Sequence, residues 1–313
     1  MTLISVVVPV YYNAPSLPFL AERLSALAQD LPAYQFEFIY VDDGSGDNSY
    51  AVLEKLVAQE PRMRVVKLVR NFGSNTAILA GMTYAQGDCV GFVAADLQDP
   101  PEALTEMIAE WAAGTKVVLA VRRDRQGDPW ATRVMASIFN WLFSKLVFDG
   151  FSPQGVGFFL VDRQVADVLI RCKEKNAHLI GLILWSGFKY ATVEYDRAER
   201  EHGKSRWTFR KKLKYFVDAF TAFSYLPLRL ASALGLFLAA GGGFYAIFVV
   251  IVRLLNRVPV PGWTALMVVV LLVSGVQLVI LGIVGEYLWR NFDATRSRPL
   301  FIVDSIYEPK PRS

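Results

Sequence analysis

The chain has 313 residues, a net charge of +4 and a hydrophobic share of 53%. This length accommodates one large domain with an appendage, and the small net charge gives no indication of a nucleic-acid partner. A mean hydropathy of +0.31 is high for a soluble protein, and the apolar excess is unevenly spread along the chain.

The first 195 residues alternate short apolar runs with amphipathic stretches. The runs have the length and the β-branched content of buried strands, and they are Ile4–Val10, Glu37–Asp42, Val65–Leu68, Cys89–Ala95, Lys116–Val121 and Gly157–Val161. Helical patterns lie between the first five runs, over Leu17–Gln29, Asn48–Gln59, Thr76–Ala85 and Pro101–Ala113. This alternation predicts an α/β fold with a mostly parallel sheet that is covered by helices on both faces.

Polar and aromatic side chains follow the first three predicted strands. An aspartate at a strand end can accept a hydrogen bond from a base or ribose, a tyrosine can stack on a base, and an arginine can face a phosphate. Ordinary turns use the same residue types, so each motif by itself also has a structural explanation. The residues concerned are Pro9, Tyr11, Asn13, Asp42, Asp43, Arg70 and Asn71.

A fourth motif, Asp96-Leu97-Gln98-Asp99, follows the fourth predicted strand and precedes two prolines. Its carboxylate and amide oxygens stand at the carboxyl end of a parallel strand, where open α/β sheets bind ligands. Hard oxygen ligands in a fixed turn suit Mg²⁺ or Mn²⁺ holding a diphosphate. The alternative is that Asp99 caps the helix that begins at the prolines. The motif alone does not decide between the two.

Two stretches without a charged residue, Leu230–Val252 and Val258–Gly285, each exceed the ~20 residues that cross a bilayer. Two buried core helices are the alternative. Cations cluster before the first stretch and after the second, whereas the loop between them holds only Arg253 and Arg257. The positive-inside rule therefore predicts that both chain ends are cytoplasmic. Because a strand follows Met1 at once, we expect no signal peptide and a cytosolic N-terminal part.

Two further stretches are amphipathic. Ser205–Tyr225 mixes aromatic residues with five cations beside the first apolar stretch, which is typical of an interfacial helix. Trp130–Phe148 fits an interfacial helix and a core helix equally. We expect a multi-pass protein of the cell inner membrane with four regions. These are a cytosolic α/β domain over 1–195, a juxtamembrane segment over 196–226, two transmembrane helices over 227–289 and a cytosolic tail over 290–313.

The four strand-end motifs occur in one order over the first hundred residues, and with them the chain resembles the family 2 glycosyltransferases of the GT-A fold. Within that family it is similar to the polyprenyl-phosphate glycosyltransferases, such as the bactoprenol glucosyltransferases and the dolichyl-phosphate mannose synthases. The resemblance covers nearly the whole chain and is carried by Asn71-Phe72-Gly73, Ala95-Asp96-Leu97-Gln98-Asp99-Pro100-Pro101-Glu102, Gly203-Lys204-Ser205-Arg206-Trp207 and Gly285-Glu286-Tyr287-Leu288.

The resemblance implies an inverting transferase that moves one sugar from a nucleotide sugar to polyprenyl (undecaprenyl) phosphate at the cytoplasmic face of the membrane. It implies a UDP-linked donor, Mg²⁺ or Mn²⁺ as the cofactor, and membrane lipids as partners. It also implies a homo-oligomer of four subunits and no nucleic acid.

The resemblance also implies roles for residues around the donor. Pro9, Tyr11 and Asp43 match positions that hold the base and ribose, and Asp96 and Gln98 match the metal and diphosphate ligands. The further nucleotide-binding candidates are Asn13, Asp42, Arg70 and Asn71.

The resemblance implies roles for four further residues, which bind the acceptor or close over the donor. Arg122, Arg133 and Ser137 match positions that receive the lipid phosphate, and Arg206 matches a cation in a stretch that closes over the donor. A solvated side chain is the alternative for each of these cations. The expected catalytic residues are Asp96, Gln98, Arg122 and Arg206.

Three positions depart from the family pattern. Relatives commonly carry an Asp-x-Asp pair whose first position here is Ala94, and many carry an acid and an arginine where this chain has Gly157 and Phe159. The missing acid can be tolerated, because a phosphate monoester with a second pKa near ~6 is largely deprotonated at neutral pH. It then needs little help from a general base.

Two other functions stay open on the sequence. A processive polysaccharide synthase usually carries Gln-x-x-Arg-Trp and more membrane spans, whereas Gly203 stands in the glutamine position here. A catalytically weak, membrane-tethered nucleotide-sugar-binding scaffold is supported by Ala94 and Gly157.

Overall fold

The computed structural model describes residues 1–123, 155–174, 178–198, 226–255 and 262–308. The chain divides into two compact units. The first comprises residues 1–220 and 298–313, and the second comprises residues 221–297. The amphipathic stretches Trp130–Phe148 and Ser205–Tyr225 lie outside the described residues.

The first unit is built on an eight-stranded sheet. Six strands run in one direction, and β6 and β8 run antiparallel to their neighbours, which confirms the mostly parallel sheet. The order across the sheet is β7-β5-β6-β4-β1-β2-β3-β8. The strands are β1 (Leu3–Val10), β2 (Gln35–Asp42), β3 (Met63–Leu68), β4 (Cys89–Phe92), β5 (Val117–Arg122), β6 (Val156–Asp162), β7 (Tyr190–Tyr195) and β8 (Val303–Tyr307).

Helices cover both faces of the sheet, as the alternation predicts. Alternate residues of β1, among them Ile4 and Val6, are fully buried in one cluster with Leu20 and Leu24 of α1. On the opposite face, Gly81 of α3 lies directly against Val7 and Val41. The helices are α1 (Leu17–Asp30), α2 (Ser49–Val57), α3 (Ser74–Tyr84), α4 (Ala103–Ala112), α5 (Arg163–Arg171) and α6 (Leu179–Trp185).

The fourth strand is shorter than predicted. It ends at Phe92 rather than Ala95, although the Val93 amide still donates a hydrogen bond of 3.0 Å to the Val7 carbonyl. β1 continues to Val10 and β6 begins at Val156, but their pairing with β4 stops at Phe92 and Gly91, so the backbone beyond Val93 leaves the ladder. Residues 94–99 therefore form a turn outside the sheet.

The expected tail over 290–313 contains regular structure. The last helix continues to Thr295, and residues 303–307 form β8 at the edge of the sheet. β8 pairs antiparallel with β3, and Asp304 lies 3.0 Å from Lys67. β8 thereby covers the edge of β3, whose backbone groups would otherwise be open to pairing with other chains.

The second unit contains two long helices, α7 (Leu226–Leu254) and α8 (Trp263–Thr295), of 29 and 33 residues. Both are long and apolar enough to cross a membrane. Leu236, Phe237 and Phe244 are each at least 74% exposed, whereas the helices of a soluble core bury such side chains. The alternative of two buried core helices therefore does not fit the described side chains.

We expect Gly81→Ala to destabilise the first unit, because its Cβ would overlap the Val7 side chain and lie 3.1 Å from Cγ2 of Val41. Overpacking of this kind costs about 1–3 kcal/mol of unfolding free energy, which denaturant unfolding of the detergent-purified protein measures. Thr83→Ala, at an exposed position of the same helix, is the control and should stay within about 0.5 kcal/mol. Equal stability of the two variants would contradict the close packing of α3 on the sheet.

Candidate active site

Four loops meet at the carboxyl ends of β1, β2, β3 and β4, and we call them the carboxyl-edge loops (residues 11–16, 43–48, 69–73 and 93–99). The Tyr12 amide donates to Oγ of Ser45 at 3.1 Å, and Oγ of Ser16 donates to the Ala95 carbonyl at 2.6 Å. A Cβ on Gly44 would lie 2.7 Å from Cα of Arg70, so the second and third loops also touch. The structure thus brings together the predicted site residues of the first hundred positions.

The loops surround the point where the sheet reverses its winding. β1 lies between β2 and β4, so the chain winds outwards from β1 in both directions. In open α/β sheets, ligands bind in the crevice that forms at such a point, outside the carboxyl ends of the strands.

The first loop presents two tyrosines. Tyr12 has a backbone φ of 59°, and its ring meets that of Tyr11 edge-on with centroids 4.7 Å apart. Oδ1 of Asn13 accepts a hydrogen bond of 3.0 Å from the Tyr11 amide, which folds the loop back on itself. Pro9, Tyr11 and Asn13 are half-buried at this edge, and the side chain of Asn13 shapes the turn.

Asp43 fixes the third loop. It is buried, and its carboxylate oxygens accept hydrogen bonds from the amides of Phe72 at 2.7 Å and Gly73 at 2.9 Å. Burial raises the pKa of Asp43 to about 6, and the two amide bonds act in the opposite direction. Both carboxylate oxygens of this candidate nucleotide-binding residue therefore already accept hydrogen bonds from backbone amides.

Asp42 is the less satisfied of the two neighbouring aspartates. It is fully buried at the end of β2, and its Oδ2 accepts a hydrogen bond of 3.4 Å from the Ser45 amide. Oδ1 has no hydrogen-bond partner among the described residues. Burial raises the pKa of Asp42 above its ordinary value. A buried acceptor without a partner is costly, so an N–H donor of a ligand would stabilise this position.

The third loop carries the candidate cation Arg70. Arg70 and Asn71 are exposed, and the Arg70 guanidinium lies over the Phe72 ring at 4.1 Å from its centroid. Since Asp43 accepts hydrogen bonds from the amides of Phe72 and Gly73, it also fixes the backbone of the loop from which the Arg70 side chain extends.

The 93–99 loop turns sharply at Leu97, whose φ is 60°. The Gln98 amide lies 3.3 Å from Oδ1 of Asp96, and both side chains are half-buried. Oε1 of Gln98 accepts a hydrogen bond of 2.7 Å from Arg197, a residue that the sequence did not mark. The amide oxygen expected as a metal ligand thus already accepts from a cation, and the negatively charged carboxylate of Asp96 is the better candidate for a divalent metal.

Asp99 does not cap a helix in this structure. α4 begins at Ala103, with Glu102 at its N-cap position. The buried Asp99 instead accepts a hydrogen bond of 2.7 Å at Oδ1 from the hydroxyl of Tyr195. Nε of Arg122 donates to the same hydroxyl at 3.4 Å, and Nε of Arg197 lies 3.6 Å from Oδ1 of Asp99. The end of β7 thereby joins the fourth loop to Arg122.

Two contributors, Tyr195 and Arg197, were missed in the sequence. The signal is present, because Tyr190–Tyr195 is rich in aromatic and β-branched residues, as strands are, and Asp196-Arg197 follows at its end. The predicted residues Arg133, Ser137 and Arg206 lie outside the described residues.

No group of three His, Cys, Asp or Glu side chains suited to a metal ion occurs within the described ranges. Asp96 supplies a half-buried carboxylate in the fourth carboxyl-edge loop. A single carboxylate suits Mg²⁺, which takes one or two carboxylates from a protein and completes its shell with water and substrate phosphates.

Residues 5–166, just over half of the chain, match the family described as Glycosyl transferase family 2. The chain belongs to this family. An uncharacterized glycosyltransferase YkcC of Bacillus subtilis (strain 168) is 40% identical to it over 304 residues, which cover 97% of this chain and 94% of the relative. The SfII prophage-derived bactoprenol glucosyl transferase of Shigella flexneri is 33% identical, over 98% and 99% of the two chains.

Solved structures agree with the GT-A fold expected for a glycosyltransferase of family 2. The mannosyl-3-phosphoglycerate synthase of Rubrobacter xylanophilus superposes with a TM-score of 0.51 at 20% identity, over 71% of this chain and 72% of that one. A glucosyl-3-phosphoglycerate synthase of Mycobacterium tuberculosis, in complex with phosphoglyceric acid, gives a TM-score of 0.50 at 17% identity, over 70% and 79%. The expected family and fold are confirmed, and the chain is a glycosyltransferase.

We expect nucleotide binding by this glycosyltransferase to weaken as the pH falls through about 6, since protonated Asp43 loses an acceptor that holds the 69–73 loop. The contribution to folding has the opposite sign. A raised carboxyl pKa contributes stability that is present below about pH 4 and is lost as the pH rises through about 6.

Titration calorimetry with uridine diphosphate, between about pH 7.5 and about pH 5, measures the effect, and we expect an affinity loss of about threefold to tenfold. Asp43→Asn is the control. It should bind more weakly at every pH and lose this dependence, because an amide oxygen accepts hydrogen bonds but does not titrate. An identical pH profile in the variant would remove Asp43 from the explanation.

Proposed function

We propose that this glycosyltransferase moves one sugar from a nucleotide sugar to a polyprenyl phosphate at the cytoplasmic surface of the membrane. One observation carries the proposal: a chain whose polar loops gather at the carboxyl edge of its sheet also holds two membrane-length helices with exposed apolar side chains. A lipid-borne acceptor explains why a sugar-transferring unit is tethered in this way. Near full-length similarity to proteins named bactoprenol glucosyl transferases, at 31–33% identity, supports the same acceptor class.

The donor nucleotide occupies the side of the crevice formed by the first three carboxyl-edge loops. Oδ1 of Asp42, which no described residue engages, is a buried acceptor for an N–H group of the base, and Tyr11 offers a ring for stacking. Arg70, exposed on the third loop, is placed to approach a phosphate. We take the nucleotide to be uridine diphosphate, as the resemblance to the bactoprenol enzymes suggests.

Asp96, with oxygens of the donor diphosphate, would hold Mg²⁺ or Mn²⁺. The donor set fits, because a half-buried carboxylate beside a tight turn leaves the remaining positions to phosphate and water. When bound, the metal supplies positive charge that stabilises the departing nucleoside diphosphate. Ala94 contributes no ligand, which places more of the coordination on the substrate.

The acceptor phosphate approaches the sugar from the side opposite the nucleotide. A phosphate oxygen forms the bond to the anomeric carbon while the bond to the diphosphate breaks, and the leaving group takes the electron pair. The configuration at that carbon is thereby inverted. A phosphate monoester is largely ionised at neutral pH, so no general base is required. Arg122, half-buried at the end of β5, is the described cation that would face the phosphate, with Arg133 and Ser137 proposed beside it.

The same proposal places the first unit in the cytosol. Cations flank the outer ends of the two apolar stretches and are sparse between them, which favours cytoplasmic chain ends. At the surface of the inner membrane, the phosphate of a polyprenyl lipid lies at headgroup level, within reach of a catalytic unit that stays in water.

The test is a screen of nucleotide sugars with undecaprenyl phosphate and Mn²⁺ or Mg²⁺, with the full chain in detergent or nanodiscs and the product read by mass. We expect one sugar to be added to the lipid phosphate from a single donor. Nucleotide binding without transfer to any polyprenyl phosphate would favour the scaffold alternative, and a polymeric product would favour a processive synthase. Either result overturns the proposal.

We expect Asp96→Asn to lower metal-dependent transfer by about a hundredfold or more, because several kcal/mol of leaving-group stabilisation are lost. Folding should be unaffected, since Asp96 is half-buried in a surface turn. Asp167→Asn, on the outer part of α5 where it pairs with Arg163, makes the same chemical change far from the crevice and should retain activity. Full activity of Asp96→Asn would remove Asp96 from the metal site.

A further inference from the structure

Gly157 has no room for a side chain, and the reason is Tyr195. A Cβ on Gly157 would overlap the hydroxyl of Tyr195 and lie 2.8 Å from its Cζ. The phenol ring thus fills the space over β6 that a side chain at position 157 would take. Gly157 and Tyr195 are a matched pair: Gly157 has no side chain, and the Tyr195 ring occupies the space that one would fill.

The phenol is held firmly in that place. Tyr195 is 4% exposed, and its ring packs against that of Phe158 with centroids 5.1 Å apart. Its backbone is fixed as well, because its carbonyl accepts a hydrogen bond of 3.0 Å from the Arg123 amide. A side chain held this firmly can fix the positions of the groups that it contacts.

The hydroxyl of Tyr195 links two functional groups of the crevice. It donates to Oδ1 of Asp99 at 2.7 Å and accepts from Nε of Arg122 at 3.4 Å. Burial and the Asp99 carboxylate raise the pKa of Tyr195 well above its ordinary range, so the phenol stays protonated and the direction of both bonds is maintained. Asp99 belongs to the same loop as Asp96, so the phenol connects that loop to the arginine of β5.

We propose that Tyr195, passing over Gly157, is a positioning residue that aims Arg122 at the acceptor phosphate and ties it to the loop of Asp96. The proposal rests on the proposed function in one respect, which is that the anion received by Arg122 is the phosphate of a polyprenyl lipid. Tyr195 touches no reacting atom. Its contribution is to keep the guanidinium in one orientation, which lowers the loss of side-chain freedom when the phosphate binds.

The first test is Tyr195→Phe, which keeps the ring against Phe158 and removes the hydroxyl. We expect the KM for undecaprenyl phosphate to rise about tenfold, because a hydrogen bond to a charged group is lost. The affinity for uridine diphosphate, measured without a divalent metal so that the loop of Asp96 is not involved, should stay within about twofold of the unmodified protein. Tyr34→Phe makes the same chemical change beside the amino end of β2 and should alter neither quantity.

The second test uses the pairing with Gly157. Gly157→Ala should raise the same KM, because the added methyl group displaces the hydroxyl. The double variant with Tyr195→Phe should be no worse than Gly157→Ala alone, since both changes remove one bridge. Additive losses in the double variant would contradict the pairing.

Equilibrium binding of undecaprenyl phosphate in nanodiscs separates this inference from the proposed function. If the unmodified protein transfers no sugar, the proposed function fails. The inference still stands if Tyr195→Phe and Arg122→Gln weaken lipid-phosphate binding to a similar degree. It is overturned if Tyr195→Phe binds the lipid as tightly as the unmodified protein, or if the unmodified protein does not bind this lipid. It is also overturned if Tyr195→Phe loses unfolding stability while the ratio of acceptor KM to nucleotide affinity stays unchanged.

Discussion

Buried carboxylates must be hydrogen-bonded, and two of them organise the crevice of this glycosyltransferase. Asp43 binds the amides of Phe72 and Gly73 and so fixes the third carboxyl-edge loop. Asp99 binds the phenol of Tyr195 and so fixes the fourth. Both aspartates serve to hold the structure, and each fixes a loop that carries a candidate functional residue. That residue is Arg70 in the third loop and Asp96 in the fourth. The rigidity of the site follows from these two carboxylates.

The order of the strands determines which residues the two carboxylates can reach. β6 runs antiparallel next to β4, and β5 and β7 follow beyond it, so the end of β7 returns to the loop after β4 although about a hundred residues separate them in sequence. This return introduces Tyr195 and Arg197 into a site whose other members come from the first hundred positions. β8 acts at the opposite edge, where it covers β3 after the chain has passed through α7 and α8.

The departures from the family pattern have a physical consequence in this fold. Gly157 leaves a space that Tyr195 fills, so the hydroxyl bridge to Arg122 stands where a side chain of β6 would otherwise project. Ala94 leaves Asp96 as the half-buried carboxylate of the 93–99 loop. Both changes are compatible with a reaction whose nucleophile is an ionised phosphate, because such a nucleophile requires orientation and charge neutralisation more than proton removal.

Apolar periodicity and strand-end motifs are local properties of a chain, so the amino-acid sequence is enough to predict the strands and helices of the first 120 residues, the two apolar helices and the family. It also indicated which residues gather at the carboxyl edge, since parallel strands place their ends together. The use of those side chains becomes visible in the folded chain alone. There, Asp43 and Gln98 accept hydrogen bonds from other residues of the protein, Asp99 accepts one from Tyr195, and residues 303–307 complete the sheet. These are contacts between distant positions, and they depend on strand order and register, which no local pattern encodes.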